Sequence, residues 1–558
     1  MPHEMGYDLE TIEREDGVVR HSPDAFPDLE TTTINGKSVR AYADRPKTVD
    51  GMLRDARERG PDRDALFVAD TGTRLTYRQL DERVDAVATG LLKKGIEPGD
   101  VVVLFLPNDV TFVESFFACQ RIGAVATPTN TRLSARELDY VISDVDPAAL
   151  LIDDSFLDTY RQGDRAIATN RVFVSGNGST FASYESLQSA GTVDSDPPAE
   201  ADTACLLYTS GTTGDPKGCP ASHFNLVNGA LNYVRSFDTH DGLTTGIVVP
   251  LFHSTGLVSC LLHTVANAGK AVVLDDYDPK RFLKLVERER IKYVIAVPTI
   301  YILAMERADP SAHDLSSWTI GAYGGAPMPG DVVPRLREAF PELALIDAYG
   351  TTEAIAGMVT GCPDRHTDEH ANSIGLPTPP TELKIVDEDG ETLPPGEIGE
   401  FAFRGPYVVD RYLDKPAETA ESFRDDWFYT GDLALITEEG FVVLKGREKD
   451  KILRGGENVY PLEIESELIN HDDVLEAAVT GFPDAVLGER ILAVVTPKDS
   501  ATLTEDDLRE HCKQGLAEYK IPDIIRILSE LPRNASGKVV SEKLVPEPLQ
   551  HGIQVGEQ

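Results

Sequence analysis

The sequence predicts an α/β protein: a large N-terminal domain of parallel α/β sheets with a small β-rich subdomain, followed by a small α+β C-terminal domain. Three observations predict it. Through the first two thirds of the chain, apolar runs of strand length alternate with segments of helical periodicity. After about residue 380 the pattern becomes short strand-like runs separated by Asp, Gly and Pro. After Lys445 helix and strand patterns alternate again in a compact order.

Residues 1–45 are polar and read as irregular. Val49, Met52, Leu53 and Ala56 then recur at helix spacing. Thr76 is a suitable N-cap for a second helix. Its apolar residues Leu80, Val84, Val87, Ala88, Leu91 and Leu92 share a face, and Gly95 stops it. Val101–Leu106 is a continuous apolar run and reads as a buried parallel strand. A helix over Val110–Arg121 and a strand over Gly123–Pro128 follow, with further strands at Ala149–Ile152, Thr245–Val249, Ala271–Leu274, Tyr293–Val297 and Leu345–Ile346. Leu383–Val386, Gly399–Arg404 and Gly440–Leu444 form the β-rich unit. The last part reads as helix Pro461–Asn470, strands Val474–Thr480 and Arg490–Thr496, helix Thr504–Leu516 and strand Asp523–Leu528.

The chain has 558 residues, 41% of them hydrophobic, enough for several folding units with large cores. Composition excludes collagen-like, disulfide-scaffold and wholly disordered classes. The formal net charge is −40, from 93 acidic and 53 basic residues. The acids are scattered, as at Asp139, Asp144, Asp146, Asp153 and Asp154, and do not form one tail. This suits a surface built for high salt, because at molar salt the Debye length is about 3 Å and carboxylate repulsion is screened. It does not suit a nucleic-acid partner. The six cysteines form no CxxC pair and read as reduced thiols of a cytoplasmic protein, with no spacing for zinc. The polar, acidic N-terminus does not read as a secretory signal. The apolar stretch Gly246 to Ala268 is broken by Pro250, His253, Ser254, His263 and Asn267, and reads as core rather than membrane span.

The segment with the strongest chemical character is Thr209-Ser210-Gly211-Thr212-Thr213-Gly214, followed by Lys217. Glycines let backbone amides approach a phosphate, hydroxyls donate hydrogen bonds and the lysine adds a point charge. The spacing is not that of a Walker A loop. A flexible polar turn is the plainer alternative.

With this segment the chain resembles the adenylate-forming superfamily, which contains acyl-CoA synthetases, the adenylation domains of non-ribosomal peptide synthetases and firefly luciferase. Further motifs follow in family order, and the resemblance covers about residues 50 to 545. It implies an ATP- and Mg²⁺-dependent ligase that joins a carboxylic acid to CoA through an acyl-adenylate. Pro250–Leu257 places His253 at the mouth of the acyl pocket, beside the small residues Ser254 and Gly256. Tyr323-Gly324-Gly325-Ala326-Pro327 resembles the loop against adenine. In Asp347-Ala348-Tyr349-Gly350-Thr351-Thr352-Glu353, the resemblance implies that Tyr349 stacks on adenine and Asp347 lies near its exocyclic amine. Thr352 would bind the α-phosphate and Glu353 would hold Mg²⁺. Asp432 matches the carboxylate that accepts from the ribose hydroxyls, and Arg447 matches a ribose- or phosphate-contacting arginine. Lys449 falls at the hinge between a domain of residues 1–446 and a mobile domain of residues 447–558. Gly455 and Gly456 match the loop that lines the pantetheine tunnel. Lys538 matches the lysine that contacts the carboxylate and the α-phosphate during adenylation.

The remaining pocket candidates, Thr299, Ile300 and Tyr301, are mostly apolar, and no cation stands ready for a second carboxylate. The expected substrate is a medium- or long-chain fatty acid. An aromatic acid, or a free-standing adenylation enzyme loading a carrier protein, is the alternative. Lys451 or Arg454 is expected to attract CoA phosphates. A homodimer is the default expectation for a soluble oligomer.

Overall fold

The computed structural model describes residues 9–176, 180–193, 196–209, 216–325, 328, 332–355, 357–362, 370, 373–484, 486–498, 501, 503–534, 539–546 and 549. Two largely parallel sheets form the body of the N-terminal part. In the first, the strands run in the order 182–183, 172–175, 149–153, 101–105, 125–128, 203–208 and 218–222. All its pairings are parallel except the last, where Thr203–Tyr208 and Gly218–Ser222 form an antiparallel hairpin. In the second sheet the order is 376–377, 360–362, 344–349, 320–323, 293–296, 244–247, 270–273, 64–68 and 73–76. The strands from 344–349 to 64–68 are parallel to their neighbours.

One core joins the two sheets. Val102, Leu104, Ala126 and Leu151 of the first and Leu66, Ala271, Tyr293 and Ile295 of the second belong to one apolar cluster. Between them lie residues of helices Tyr77–Lys93, Val110–Ile122 and His223–Ser236. Thr76 caps the first of these in a capping box with Gln79, as the sequence predicts. The helix Val110–Ile122 is buried on nearly every side, which accounts for its lack of amphipathic pattern.

Arg121 on that buried helix is an exception to the apolar rule. Its side chain is wholly buried and pairs with Asp50 and Asp85 at 2.8 and 2.9 Å and with Asp81. One cation thus ties three helices together, and its removal strands carboxylates away from water.

A third sheet of seven strands is antiparallel and includes 382–386, 399–404, 427–436 and 442–447. Residues 12–15 and 18–21 add a hairpin to its edge, so part of the segment expected to be irregular forms strands. A second hairpin, Leu29–Ile34 with Lys37–Tyr42, is fastened to the helix His223–Ser236: Tyr42 donates from its backbone N–H to Asn228 and from its hydroxyl to Asn232. Both turns carry the residues hairpins require, Asp16-Gly17 and Asn35-Gly36, with positive φ at all four.

The small C-terminal domain holds a five-stranded sheet with strands 452–454, 457–459, 474–484, 488–497 and 524–527, covered by helices Pro461–Ile469 and Glu505–Gly515. Among the described residues no helix is long and apolar enough to cross a membrane. Cys119, Cys205, Cys219, Cys260 and Cys512 are buried free thiols.

Replacing Arg121 by Leu removes the buried partner of Asp50 and Asp81, which keep only the partly exposed Arg54 and Arg57. We expect a loss of about 3–5 kcal/mol of stability, the usual cost of orphaning one side of a buried ion pair, measured by denaturant unfolding at fixed salt.

Candidate active site

Four pieces of chain, distant in sequence, converge on one cleft of about 3850 Å³. The first is the hairpin loop between Thr203–Tyr208 and Gly218–Ser222. Its base is closed by the Thr209 N–H on the Lys217 carbonyl at 2.9 Å and by the Lys217 N–H on the Thr209 hydroxyl at 3.3 Å. Ser210, Gly211, Thr212, Thr213 and Gly214 lie outside the described residues. The Lys217 ammonium sits 4.1 Å from the centre of the Tyr412 ring.

The second piece is the end of strand Ala344–Tyr349 and the turn after it. Asp347, Tyr349, Gly350, Thr351, Thr352 and Glu353 all line the cleft. The turn is tight: the Ala354 N–H bonds the Thr351 carbonyl, the Ile355 N–H bonds the Thr352 carbonyl, and the Val359 N–H returns to Tyr349. Ile355 is forced to φ 50°, a left-handed conformation that a β-branched residue rarely adopts. Its fully buried side chain holds it there. Glu353 accepts a hydrogen bond of 2.8 Å from the Tyr412 hydroxyl at Oε1. Burial pushes the Asp347 carboxyl up to about 7, against the lowering effect of the Ala348 N–H.

The third piece comes from the antiparallel sheet. Asp432 and Arg447 are cross-strand partners. The Arg447 Nε donates to Asp432 Oδ1 at 2.9 Å, and the Tyr349 hydroxyl donates to Asp432 Oδ2 at 2.6 Å. Tyr349 also packs against Phe401 with centroids 5.7 Å apart, so its ring is held at both ends. Its hydroxyl is pushed strongly towards the protonated form by burial and by Asp432. Lys449 lines the cleft next to this clamp, its ammonium lowered by burial and by Arg447.

The fourth piece contains His253 and Ser254, which line the cleft just before a π-helix over Thr255–Leu262. Single π turns concentrate at functional sites in proteins generally. Val248, Val249, Val297, Ile300 and Met328 line the same region.

Two of the expected pocket residues lie elsewhere. Tyr301 is fully buried, its hydroxyl donates towards the carbonyls of Val294 and Ala322, and its ring stacks on Trp318 at 5.8 Å. It stands behind the wall, in the core. Gly256 does not line the cleft either: a Cβ there would meet the Pro250 carbonyl oxygen at 2.2 Å, so the glycine serves backbone packing rather than room for substrate. Gly324 has the same use, with the Ala348 carbonyl 2.2 Å from a built Cβ, while Gly325 at φ 78° supplies a left-handed turn. Both face the cleft. Gly455 and Gly456, at φ 64° and 91°, form the turn of a hairpin and are not among the residues lining the cleft. Arg454 is committed to Asp523 at 2.9 Å and to the Tyr519 carbonyl, and Lys451 pairs with Glu448 at 2.5 Å, so neither is a free phosphate receptor in this structure. Ala326, Pro327 and Lys538 lie outside the described residues. Their neighbours Gly325, Met328, Arg533, Asn534 and Val539 line the cleft. Tyr412 belongs to none of the motifs and was not anticipated. Its only signal is an aromatic residue in a polar loop, which has no chemical meaning without the fold.

The base of the Thr209–Lys217 hairpin, Tyr349, the Asp432–Arg447 pair and residues of the small C-terminal domain thus share one cleft, the layout expected of an adenylate-forming enzyme. The comparisons agree. Residues 53–413 match the family model "AMP-binding enzyme" and residues 463–538 match "AMP-binding enzyme C-terminal domain". The chain belongs to this family, and it is an acid–thiol ligase of the acyl-CoA synthetase class. It is similar to a feruloyl-CoA synthase of Amycolatopsis sp, 36% identical over 478 residues that cover 85% of this chain and 94% of that protein. It is also similar to a mitochondrial medium-chain acyl-CoA ligase of Danio rerio, 29% identical over 557 residues, covering 94% and 91%. Among solved structures, an o-succinylbenzoate CoA synthetase from Bacillus subtilis bound to its acyl-adenylate aligns with TM-score 0.78 and 28% identity, covering 88% of this chain and 97% of that one. An anthranilate CoA ligase bound to anthranoyl-AMP aligns with TM-score 0.81 and 26% identity, covering 89% and 96%.

Asp347 gives a test by pH. Its folded value of about 7 lies above the ordinary carboxylate value near 4. Between those values the folded protein holds a proton that the unfolded chain has lost, so this group's contribution to stability falls as pH rises from about 4 to 7. Asp347→Asn removes that dependence. Its melting temperature relative to the parent should therefore be higher at pH 8 than at pH 4.5, measured by calorimetry at constant salt.

Proposed function

We propose that the cleft activates an apolar monocarboxylic acid with ATP and passes the acyl group to CoA, releasing pyrophosphate and AMP. The observation that carries this is the Asp432 carboxylate held by both Tyr349 and Arg447 beside the Thr209–Lys217 loop. This arrangement supports a nucleoside whose ribose hydroxyls donate to Asp432, whose base lies against Tyr349, and whose phosphates reach the loop. Asp347 and the Gly324-Gly325-Ala326-Pro327 segment would border the adenine. Thr209 to Gly214 would cradle the phosphates with Thr351 and Thr352.

Mg²⁺ fits the residues present. Glu353 offers a hard oxygen at the cleft wall, and its Oε2 accepts no hydrogen bond among the described residues. Mg²⁺ takes few protein ligands, so phosphate and water would complete its coordination beside Glu353. When bound, the ion would offset phosphate charge.

The carboxylate is already a nucleophile, so the protein's task is to position it and to stabilise charge moving onto pyrophosphate. We assign this to Lys538, Lys217 and Thr352. The domain boundary is drawn after residue 446, with Lys449 as hinge. In support, the strand Val442–Arg447 ends the antiparallel sheet, a single turn Glu448–Asp450 follows, and Ile452 opens the next sheet. Rotation about that turn would exchange Lys538 for Gly455 and Gly456, consistent with the absence of those glycines from the cleft lining.

For the acid, we favour a medium- or long-chain fatty acid. Val248, Val249, Val297, Ile300 and Met328 make an apolar wall with His253 and Ser254 at its start, although Arg132, Asp275 and Asp276 also line the cleft. An aromatic acid is the second reading, favoured by the 36% identity to a feruloyl-CoA synthase. The net charge of −40 supports a protein adapted to high salt in a cytoplasm rich in it.

AMP release should require CoA and should rise several-fold between dilute buffer and about 2–3 M KCl, where surface repulsion is screened. A panel of short, medium and long fatty acids with benzoates and cinnamates names the substrate. Activity on dicarboxylic acids alone contradicts the monocarboxylic reading and points to a cation of the lining such as Arg132. Lys538→Ala should lower pyrophosphate exchange by at least ~100-fold, the scale of a lost charge-stabilising contact, yet spare thioester formation from supplied acyl-adenylate. Equal loss of both half-reactions contradicts the hinge assignment.

A further inference from the structure

Tyr412 lies in the segment between strand Gly399–Arg404 and helix Pro416–Ser422, outside every motif above. It is 3% exposed, although it borders the cleft. Its hydroxyl donates to Glu353 Oε1 at 2.8 Å, and its ring face carries the Lys217 ammonium 4.1 Å from the centroid. We propose that Tyr412 is a positioning residue that sets the separation of the metal-side carboxylate Glu353 and the phosphate-side cation Lys217; this rests on the roles assigned to those two residues above.

Three features argue for a fixed spacer rather than a filler of the core. First, the two contacts use different parts of the side chain. A phenol hydroxyl hydrogen-bonds a carboxylate, while the negative face of the ring attracts a cation. One rigid ring with few torsions therefore addresses both charges.

Second, the ring cannot drift. The Tyr412 N–H bonds the Thr419 hydroxyl at 3.0 Å, and Phe423 packs edge-on with centroids 5.3 Å apart. Third, the backbone on either side is stitched to both partners' elements. The Leu413 N–H donates to the Gly218 carbonyl, next to Lys217, at 2.8 Å, and the Val409 N–H donates to the Glu353 carbonyl at 2.9 Å.

Lys217 and Glu353 are opposite charges on one cleft wall. Direct pairing would neutralise both before any substrate arrived. Tyr412 gives each a separate partner that leaves its charge in place. The carboxylate keeps its second oxygen for a metal, and the ammonium keeps its hydrogens for phosphate. No direct Lys217–Glu353 ion pair occurs among the described residues.

The test is calorimetric binding of an unreactive ATP analogue, the α,β-methylene triphosphate, in molar KCl with and without Mg²⁺. The parent, Y412F, Y412L and E353Q are compared, each checked for its fold by circular dichroism. Y412F keeps the ring and loses the hydroxyl. It should lose about tenfold of the affinity gained on adding Mg²⁺, the scale of one hydrogen bond to a charged group, with its metal-free affinity unchanged. Y412L should lose that gain and also bind the metal-free analogue several-fold more weakly, because Lys217 loses its seat. If E353Q loses the Mg²⁺ gain while Y412F keeps it, the spacer role is overturned and the Glu353 assignment stands. If neither loses it, the Glu353 assignment falls and the inference falls with it. A Y412L protein with unchanged metal-free affinity overturns the Lys217 half.

Discussion

The site depends on one carboxylate. Asp432 stands in the antiparallel sheet, accepts from Tyr349 at the end of the parallel sheet, and accepts from Arg447 at the last position of the strand that leads into the small domain. The end of the parallel sheet and two strands of the antiparallel sheet are thereby referenced to a single buried group. The Asp432 residue is 8% exposed, so these bonds act in a poorly screened environment and are stronger than surface pairs. Its bulged strand and the left-handed Gly431 beside it bring the carboxylate into register with Arg447. A shift of the sheets would therefore disturb the proposed base shelf, ribose acceptor and hinge together.

The charge of the chain poses the opposite problem. With 93 acidic and 53 basic residues, the average environment repels a triphosphate and CoA. The structure spends many of its arginines on internal ties, such as Arg121 with its three aspartates and Arg45 with Glu30 and Glu200. Arg454 belongs to the same class, which is why it is unsuited to the phosphate role its sequence position suggested. Of the cations that line the cleft, Lys451 and Arg533 are paired with Glu448 and Glu476, Arg447 bonds Asp432, and Lys217 sits over the Tyr412 ring. High salt screens long-range repulsion but weakens a short, half-buried contact less, so under the proposed high-salt reading such a site would keep its short contacts while the surface is screened.

The parallel sheets were legible because a strand buried on both faces must be continuously apolar, as at Val101–Phe105, and because helix caps such as Thr76 carry their own signature. Strand Ile320–Tyr323 was not, since Gly321 and Ala322 lack the bulk that marks a strand, and the Leu343 side chain fills the space beside Gly321. The N-terminal hairpins were readable in principle from Asp16-Gly17 and Asn35-Gly36, but their strands are short, and half their residues face solvent. In the site, motif residues were found because chemistry clusters them in sequence. Tyr412, Tyr301 and Gly256 show what that leaves out. A residue's neighbour across the fold decides whether a ring spaces charges or packs a core, and whether a small residue makes room or permits contact.

Gly256 and Gly324 together also say how the proposed acid site is built. On one side the π-helix begins with a glycine pressed on the Pro250 carbonyl, and on the other the Tyr323–Gly325 turn is pressed on the Ala348 carbonyl, with no space for a Cβ at either contact. The two walls are therefore set by backbone against backbone, which side-chain changes hardly move. What varies freely is the layer of side chains on those walls. Val297 is 43% exposed and Met328 and Ile300 stand near it in the cleft, without the packing constraints of the glycines behind them. Under the proposed reading, discrimination between a flexible chain and a flat ring is a property of that thin layer. Relatives of this chain carry names for acids as different as a feruloyl and a medium-chain acyl group, which suits a preference held in that layer.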